Sequence, residues 1–501
     1  MGNTKNSRKK RRKRNRHTVG KILAVIQIIL SIVFIAVLLM VNVLPMKYLA
    51  IIFGILVFLD AFALGSQFTR SAHIIGKIDC VLMLILLILG NVYLIRTNVT
   101  LLSITSNDYK VDRISIAVLN DDAAQTLEDA VGYDFGAQVI NGSDKVSQAI
   151  TEAEDQVGQE LSCYNYEDPY AMVQDLYDGN VQAIIYNTAY DSSLTEHFPT
   201  FSTDIRELKH IEIKTKVETV SGDKTDVTKT PFTIFISGID TEGSIATTSR
   251  SDVNMLVTVN PNTNQVLMTS IPRDYYVQLP GISGESRDKL THAGLYGPQC
   301  SMDTLSQLFG VSVDYYAKVN FTTLRDMVNA LGGVDLDSVY EFTTISGEYF
   351  VQGMNYGVDG SSALDFARER YNLPNGDNDR VMNQQIVLKA IINKCLSPAI
   401  LTGYMGIMDS LSDSFETSLS QQQISSLVRM QLNDGAGWDI MSSRVVGTGN
   451  DTDYTCYSSG DQILYVMIPD ENSVATAADF INRVKNGETI SQEEIAASMM
   501  N

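Results

Sequence analysis

The sequence predicts an α/β protein: three N-terminal transmembrane helices, a small α/β domain, then a larger α/β/α domain on a central mixed sheet. Three observations carry this. Three apolar stretches fill residues 22–96. From residue 107 onward, β-rich runs alternate with amphipathic stretches, the pattern of strands and helices packed in layers. Charge divides at the same boundary. Residues 1–100 hold fourteen Lys/Arg against two Asp, while the 501-residue chain as a whole is at −20, which leaves −32 for the remainder.

The first 21 residues hold ten Lys/Arg and no acid, including the run Arg8-Lys-Lys-Arg-Arg-Lys-Arg14. Such a run can bind nucleic acid or anionic lipid. Here it abuts Ile22–Leu44, which at about 1.5 Å per residue is long enough to span a bilayer. The simpler reading is a cytoplasmic tail obeying the positive-inside bias, with no nucleic-acid partner. Pro45-Met-Lys47 turns the chain and Tyr48–Leu64 returns. Arg70, His73 and Lys77 mark a second basic loop before a third span, Ile78–Ile95. The N-terminus is then inside and everything after Arg96 outside. The first span is too long for a removed signal peptide and lacks a small-residue cleavage site. Asp60 and Asp79 lie in or near spans two and three, where acids are functional candidates unless they sit at a bundle interface or the headgroups.

Residues 107–225 predict the small α/β domain, with strands at Ile114–Leu119 and Val181–Tyr186. Helices are expected over Ala123–Val131, Gln148–Glu160 and Asp168–Tyr177. The block has no clustered Arg, His or Cys. Lys214–Lys229 reads as a linker or a bridging strand. Of the five cysteines, Cys80 falls in the third span; Cys163, Cys300, Cys395 and Cys456 show no C-x-x-C spacing, which argues against zinc or redox chemistry. They allow three pairings, or none if they are buried free thiols.

Residues 230–490 predict the larger domain. Phe232–Ile239 is a strand that stops at Asp240. A polar loop leads to Arg250-Ser-Asp252 and a second strand, Val253–Val259. The turn Asn260-Pro-Asn-Thr-Asn264 precedes a third strand, Gln265–Ile271, ending in Pro272-Arg273-Asp274. Arg and Asp are disfavoured inside sheets, but strand ends are where ligand sites form. Asp240 and Asp252 suit a hard dication, Mg²⁺ or Mn²⁺, whose other ligands are water and substrate phosphate. Arg250 and Arg273 suit bidentate pairing with that phosphate. Ordinary Arg–Asp surface pairs are the alternative. Lys289, after the Gly-rich 281–285 loop, reads as a phosphate ligand or a solvated lysine, and His292 as a structural histidine. A helix over Ser301–Phe309 with Ser301 as N-cap, a strand over Asp314–Phe321 and a helix over Thr323–Leu331 follow.

A second arginine cluster begins where the expected helix Ser361–Ala367 runs into Arg368-Glu-Arg370. Residues at i and i+2 lie about 200° apart on a helix, so the two arginines converge only if the helix ends there. Asn372-Leu-Pro-Asn-Gly376 supplies the stop. Asp377 then reads as an N-cap beside a phosphate site. Arg380 and Gln384 share one face near the new helix's N-terminus, where partial positive charge favours a phosphate. Val381, Leu388, Ile391 and Ile392 form the core-facing stripe. In so acidic an ectodomain, concentrated arginines point to a held anion. Beyond Leu396, helices Gln422–Leu432 and Ser473–Asn486 and a strand Gln462–Ile468 complete the domain, and the last ten residues are expected to be disordered.

Gly238-Ile-Asp240, Ser249-Arg-Ser-Asp252, Ser270-Ile-Pro-Arg-Asp274 and Asp288-Lys-Leu-Thr-His-Ala293 resemble, in order, signature motifs of the LytR-CpsA-Psr family. So do Asp314-Tyr-Tyr316, Val319-Asn-Phe321, Ala330-Leu-Gly-Gly-Val334, Phe366-Ala-Arg-Glu-Arg370 and Gly376-Asp-Asn-Asp-Arg380 with Gln384. The three spans and the intervening domain resemble CpsA-like members. The resemblance implies a phosphotransferase acting outside the membrane of a Gram-positive cell. It would attach a polyprenyl-(pyro)phosphate-linked glycopolymer, capsular polysaccharide or a similar anionic polymer, to peptidoglycan. Membrane lipid and capsule-assembly membrane proteins are further implied partners. In that reading Asp240 and Asp252 hold the metal, and Arg250, Arg273, Lys289, Arg368, Arg370, Asp377, Arg380 and Gln384 form the phosphate site. Asp274, with Arg273, either takes the acceptor's proton or orients Arg273. A hydrolase on the lipid-linked donor and a non-enzymatic regulator of polysaccharide assembly are the other classes.

Overall fold

The structure, a computed structural model, describes residues 3–69, 72–105, 109–139, 143–216, 225–239, 244–397, 400–412 and 414–499. The chain forms two compact units, one of residues 1–103 with 420–437 and one of 104–419 with 438–501.

The first unit holds α1 (Asn3–Val41), α2 (Met46–Ser66) and α3 (His73–Thr105). Thr18–Val41, Met46–Ser66 and His73–Thr105 are each long and apolar enough to cross a membrane. Asp60 is a bundle-interface residue: Gln27 Nε2 and Ser31 Oγ of α1 donate to its Oδ1 at 3.0 and 3.2 Å. A half-buried carboxylate between apolar helices is stabilised by such partners. The helix Gln421–Asp434, expected to complete the larger domain, instead belongs to this unit. Ser425 Oγ donates to Val41 O at 3.0 Å, Arg429 Nη2 to Asn42 O at 2.7 Å, and Gln421 Nε2 to Asn98 Oδ1 at 2.8 Å. The helix thus meets the end of α1 farthest from the basic tail and supplies donors to carbonyls there.

The second unit begins with a five-stranded mixed sheet. Its strands are β1 (Tyr109–Leu119), β2 (Asp134–Gln138), β3 (Ser162–Tyr166), β4 (Ala183–Asn187) and β5 (Ile205–Lys216), in the order β3-β2-β4-β1-β5. β5 falls mostly where no element is expected from the sequence, because its charged alternation, Arg206 to Lys216, is that of a half-exposed edge strand. The expected helix over Ala123–Val131 is instead a loop with one 3₁₀ turn, Glu128–Ala130. Asp129 explains this: its carboxylate accepts from the backbone N–H of Gln125 and of Thr126, each at 3.0 Å, offering the backbone an alternative to helix.

The main sheet is built on β6 (Phe232–Ile239), β7 (Ser251–Asn260) and β8 (Gln265–Ile271), an antiparallel meander. A short hairpin, β9 (Tyr276–Val277) with β10 (Asp288–Lys289), follows. β11 (Tyr315–Asn320) adds parallel to β6, Asp439–Arg444 parallel to β8, and Phe415–Thr417 antiparallel to β11, giving six strands. Side chains alternate between two faces. Phe235, Leu256 and Leu267 pack with Val474, Phe480 and Ile481 of the helix Glu471–Lys485. Met255, Val257, Val266 and Met268 pack on the other face with Leu388 and Ile392 of the helix Asp377–Cys395. Each fully buried side chain of this size contributes about 1.5–3 kcal/mol, so the two faces commit the sheet to an α/β/α sandwich.

Three local expectations differ. Ser301 is buried inside the helix Pro298–Phe309, whose N-cap is Gly297. Asp377 is the first helical residue, with Gly376 as N-cap at φ +55°. Residues Gln492–Met499 form a helix rather than a disordered tail. All five cysteines are free thiols.

Candidate functional site

β7 and β8 end side by side, and their register, with Asn254 opposite Ile271, sets Asp252 across from Arg273. Arg273 Nη1 donates to Asp252 Oδ2 at 3.1 Å, and Thr291 Oγ1 donates to Asp252 Oδ1 at 3.0 Å. Arg250 Nε lies 4.0 Å from the same carboxylate. Burial pushes the Asp252 carboxyl up, but Arg250, Arg273 and Arg380 outweigh it and hold it at about 2. Burial likewise works against the charge of Arg273, yet Asp252 and Asp274 keep it protonated beyond its ordinary range. The chain reaches this geometry through a close crossing at Gly294. A Cβ there would stand 2.7 Å from Ser251 N and 2.9 Å from Ser249 O, so the 3₁₀ segment Leu290–Tyr296 passes against Arg250's backbone only with glycine.

Behind this pair lie Asp274 and Lys289, both buried. Lys289 Nζ sits 3.2 Å from Asp274 Oδ1, and Arg273 Nε 3.6 Å from Asp274 Oδ2. Burial raises the Asp274 carboxyl, and Lys289 and Arg273 more than reverse it, so it is held below the usual range. Neither residue lines the adjoining cavity. Lys289 is therefore placed to hold Asp274, and Asp274 to orient Arg273. His292 is structural in its surroundings: its Nδ1 faces Asp288 Oδ1 at 2.6 Å and Ser458 Oγ at 2.7 Å. Serine and aspartate share one ring nitrogen, whereas a catalytic relay would use both.

The second cluster faces the first across a cavity of about 1260 Å³, above the usual small-molecule range of about 300–1,000 Å³. The helix Gly360–Arg368 ends where Glu369 turns extended. Glu369, buried, ties the turn: Oε1 accepts from the N–H groups of Arg370, Tyr371 and Asn372 at 2.8–3.0 Å, and Oε2 from Ile345 N–H at 2.8 Å. Arg368 stacks on Phe321 with its guanidinium 4.3 Å from the ring centre, and Arg370 on Tyr371 at 4.6 Å. Arg380 pairs with Asp377 at 2.5 Å, and its burial, together with Arg273 and Arg370 nearby, weakens its hold on its proton despite Asp377. Arg250, Asp252, Arg273, Arg368, Arg370, Arg380 and Gln384 all line the cavity; Asp377 does not. Asp240 lies outside the described residues.

The other end of the cavity is apolar. Leu388, Ile391 and Ile392, expected as core, form its wall with Met255, Leu324 and Met327. Two further residues carry the site without a motif of their own. Lys318, half-buried in β11, donates to Ile245 O at 2.7 Å and Thr247 O at 3.2 Å, and desolvation of its ammonium brings it down to about 8. It thereby holds the loop before Arg250. Gln385 donates to Ser443 O at 2.6 Å and pins the helix Asp377–Cys395 to the sheet. Lys318 and Gln385 were legible only as polar residues in a strand and a helix; Glu369, between two arginines, was the one with a local signal.

The model of the LytR_cpsA_psr family matches residues 197–471. The chain belongs to the LytR-CpsA-Psr family. Among its relatives, the "polyisoprenyl-teichoic acid–peptidoglycan teichoic acid transferase TagU" of Bacillus anthracis is 36% identical over 260 residues, 51% of this chain and 78% of that protein. The protein of the same name from Enterococcus faecalis is 31% identical over 237 residues, 47% and 76%. The solved structure of B. subtilis TagU is 28% identical and covers 52% of this chain and 99% of its own, with a TM-score of 0.40. In this LytR-CpsA-Psr protein, the matched stretch starts after the first four strands and carries both arginine clusters.

Proposed function

We propose that this LytR-CpsA-Psr protein is a phosphotransferase that moves a glycopolymer from a polyprenyl-(pyro)phosphate carrier to peptidoglycan. That it is a transferase of this class follows from family membership and from relatives named for transfer of teichoic acid to peptidoglycan. The observation that supports the lipid-linked donor is the division of one cavity. Five arginines cluster at one end and aliphatic side chains at the other, complementary to an anionic headgroup on a hydrocarbon chain. The polymer is capsular polysaccharide or another anionic wall polymer. Three membrane-crossing helices suit an enzyme whose donor lies in the bilayer, with the N-terminus cytoplasmic and the catalytic domain outside.

Phosphoryl transfer depends on positioning and neutralisation of charge. Arg250 and Arg273 are oriented by Asp252 and Arg380 by Asp377, while Arg370 rests on Tyr371. Arg368 and Gln384 complete the lining. Asp252 fits a dication: it is ionised, lines the cavity, and its two hydrogen bonds leave lone pairs on both oxygens. Among the described residues no group of three His, Cys, Asp or Glu could form a metal cage. Mg²⁺ (or Mn²⁺) would thus be held by Asp252 and Asp240 with substrate phosphate, and when bound would neutralise phosphate charge. The acceptor hydroxyl's proton passes to a carboxylate of the site or to solvent, and Asp274, paired with Lys289 and Arg273, orients Arg273.

The test is product analysis by mass spectrometry after incubating the full-length protein with a lipid-linked glycan and peptidoglycan fragments. A polymer–phosphate–peptidoglycan adduct is expected. Release of free polymer or inorganic phosphate alone would mark a hydrolase, and no turnover would mark a regulator.

A further inference from the structure

The cavity wall facing Arg250 and Arg273 comes from the small α/β domain. Its helix Asp191–His197 supplies Ser193, whose hydroxyl accepts from Arg250 Nη1 at 3.1 Å. It also supplies Glu196, with Oε2 3.6 Å from Arg250 Nη1 and Oε1 3.6 Å from Arg273 Nη2. One carboxylate straddles both guanidiniums. The arginine side chains are 6% and 9% exposed, whereas that of Glu196 is 46% exposed. Charge-assisted hydrogen bonds run at about 2.7–2.9 Å, so Glu196 is a loose occupant at the cavity mouth.

The small domain is held in place for this contact. Val111 N donates to Ala246 O and Thr248 N to Val111 O, each at 2.9 Å, and Lys110 Nζ donates to Leu295 O at 2.8 Å. β1 is therefore bonded to the loop that delivers Arg250. Ser193 and Glu196 both precede residue 197, where the family match begins.

We propose that Glu196 is a competing anion of the donor site, seated where one donor phosphate binds and displaced when it enters. The proposal rests on the arginines being the donor's phosphate site. Glu196 faces Nη1 of Arg250 and Nη2 of Arg273, so a phosphate that takes those nitrogens from the cavity meets its carboxylate and is repelled by it. The small domain thus weakens binding of every anionic headgroup by a fixed factor and leaves the apolar end untouched. On product release it competes with the polyprenyl phosphate.

The experiment measures binding of geranylgeranyl pyrophosphate and of geranylgeraniol to the full-length protein in detergent. Wild type is compared with Glu196→Gln, which keeps shape and removes charge, and Glu196→Asp, which keeps charge. Partly exposed ion pairs contribute up to about 1 kcal/mol each, so Glu196→Gln should tighten the pyrophosphate about three- to tenfold. Geranylgeraniol should not change, and Glu196→Asp should bind like wild type. Equal or weaker pyrophosphate binding by Glu196→Gln, with wild type still preferring pyrophosphate to alcohol, overturns the role of Glu196 and leaves the transferase reading standing. Tighter binding of both ligands also overturns it, because the pocket and not the charge has changed. No preference of wild type for the pyrophosphate removes the phosphate site itself, and both readings with it.

Discussion

Arg273 and Asp252, at the ends of neighbouring antiparallel strands, face each other through a 3.1 Å hydrogen bond that joins the site's cations to its anion. The carboxylate is held at about 2, below the ordinary value of about 3.9. A depressed pKa stabilises the fold above the unfolded value and ceases to do so as pH falls through the folded one. Wild type should therefore lose about 2 kcal/mol from this group between about pH 5 and pH 2. Asp252→Asn should lack that slope. Denaturant unfolding of both proteins across the window is the measurement, and parallel curves would contradict the assignment.

Arg368, Arg370 and Arg380 should bind donor phosphate rather than glycan. Each Ala variant should lose affinity for a polyprenyl pyrophosphate by about 2–5 kcal/mol, the loss being smaller for the more exposed Arg368. Affinity for the matching polyprenol should hold. Lys should rescue only in part, lacking the bidentate fork and the ring stacking seen at Arg368 and Arg370. Equal losses for the uncharged lipid would mean that the arginines shape the pocket.

Asp274 should act through Arg273. Asp274→Asn is expected to lower kcat on the order of tenfold or more while preserving the acid limb of the pH–rate profile. A lost acid limb would restore Asp274 as the base. Lys289→Met should copy the kcat defect, since it removes the partner of Asp274.

Metal dependence should reside in Asp252. Asp252→Ala should abolish stimulation by Mg²⁺ and its calorimetric binding in the presence of a polyprenyl pyrophosphate, while thermal unfolding without metal stays cooperative. Persistent Mg²⁺ stimulation in Asp252→Ala and in Asp240→Ala would place the ligands elsewhere.

Topology is checked on intact protoplasts. External protease should digest residues 107–501 and leave an N-terminal tag protected, following the ten Lys/Arg of the first 21 residues. A protected catalytic domain would reverse the orientation.

The main sheet was legible because β6, β7 and β8 are β-rich runs interrupted by turn residues and ended by charges. The clustering of Arg250, Asp252 and Arg273 follows from a simple meander. The convergence of Arg368 and Arg370 was legible from the helix stop. What escaped is contact between residues distant in sequence. Glu196 and Ser193 sit in a seven-residue helix with no periodicity to read. The stripe Leu388, Ile391, Ile392 looks the same whether it meets a core or a cavity, since both are apolar surroundings. Lys289 and Asp274 were separated from the ligand side only by which way the β9–β10 hairpin turns them.

Cys395 closes the helix whose side chains wall the cavity, and its own thiol forms part of that wall. Burial pushes the thiol up to about 11, so at neutral pH it is an uncharged, slow nucleophile. The molecule thereby carries a native reporter of occupancy. A small apolar mercurial will mark Cys395 in the empty protein, a resident hydrocarbon chain will shield it, and the extent of marking reads out how full the cavity is without any introduced label.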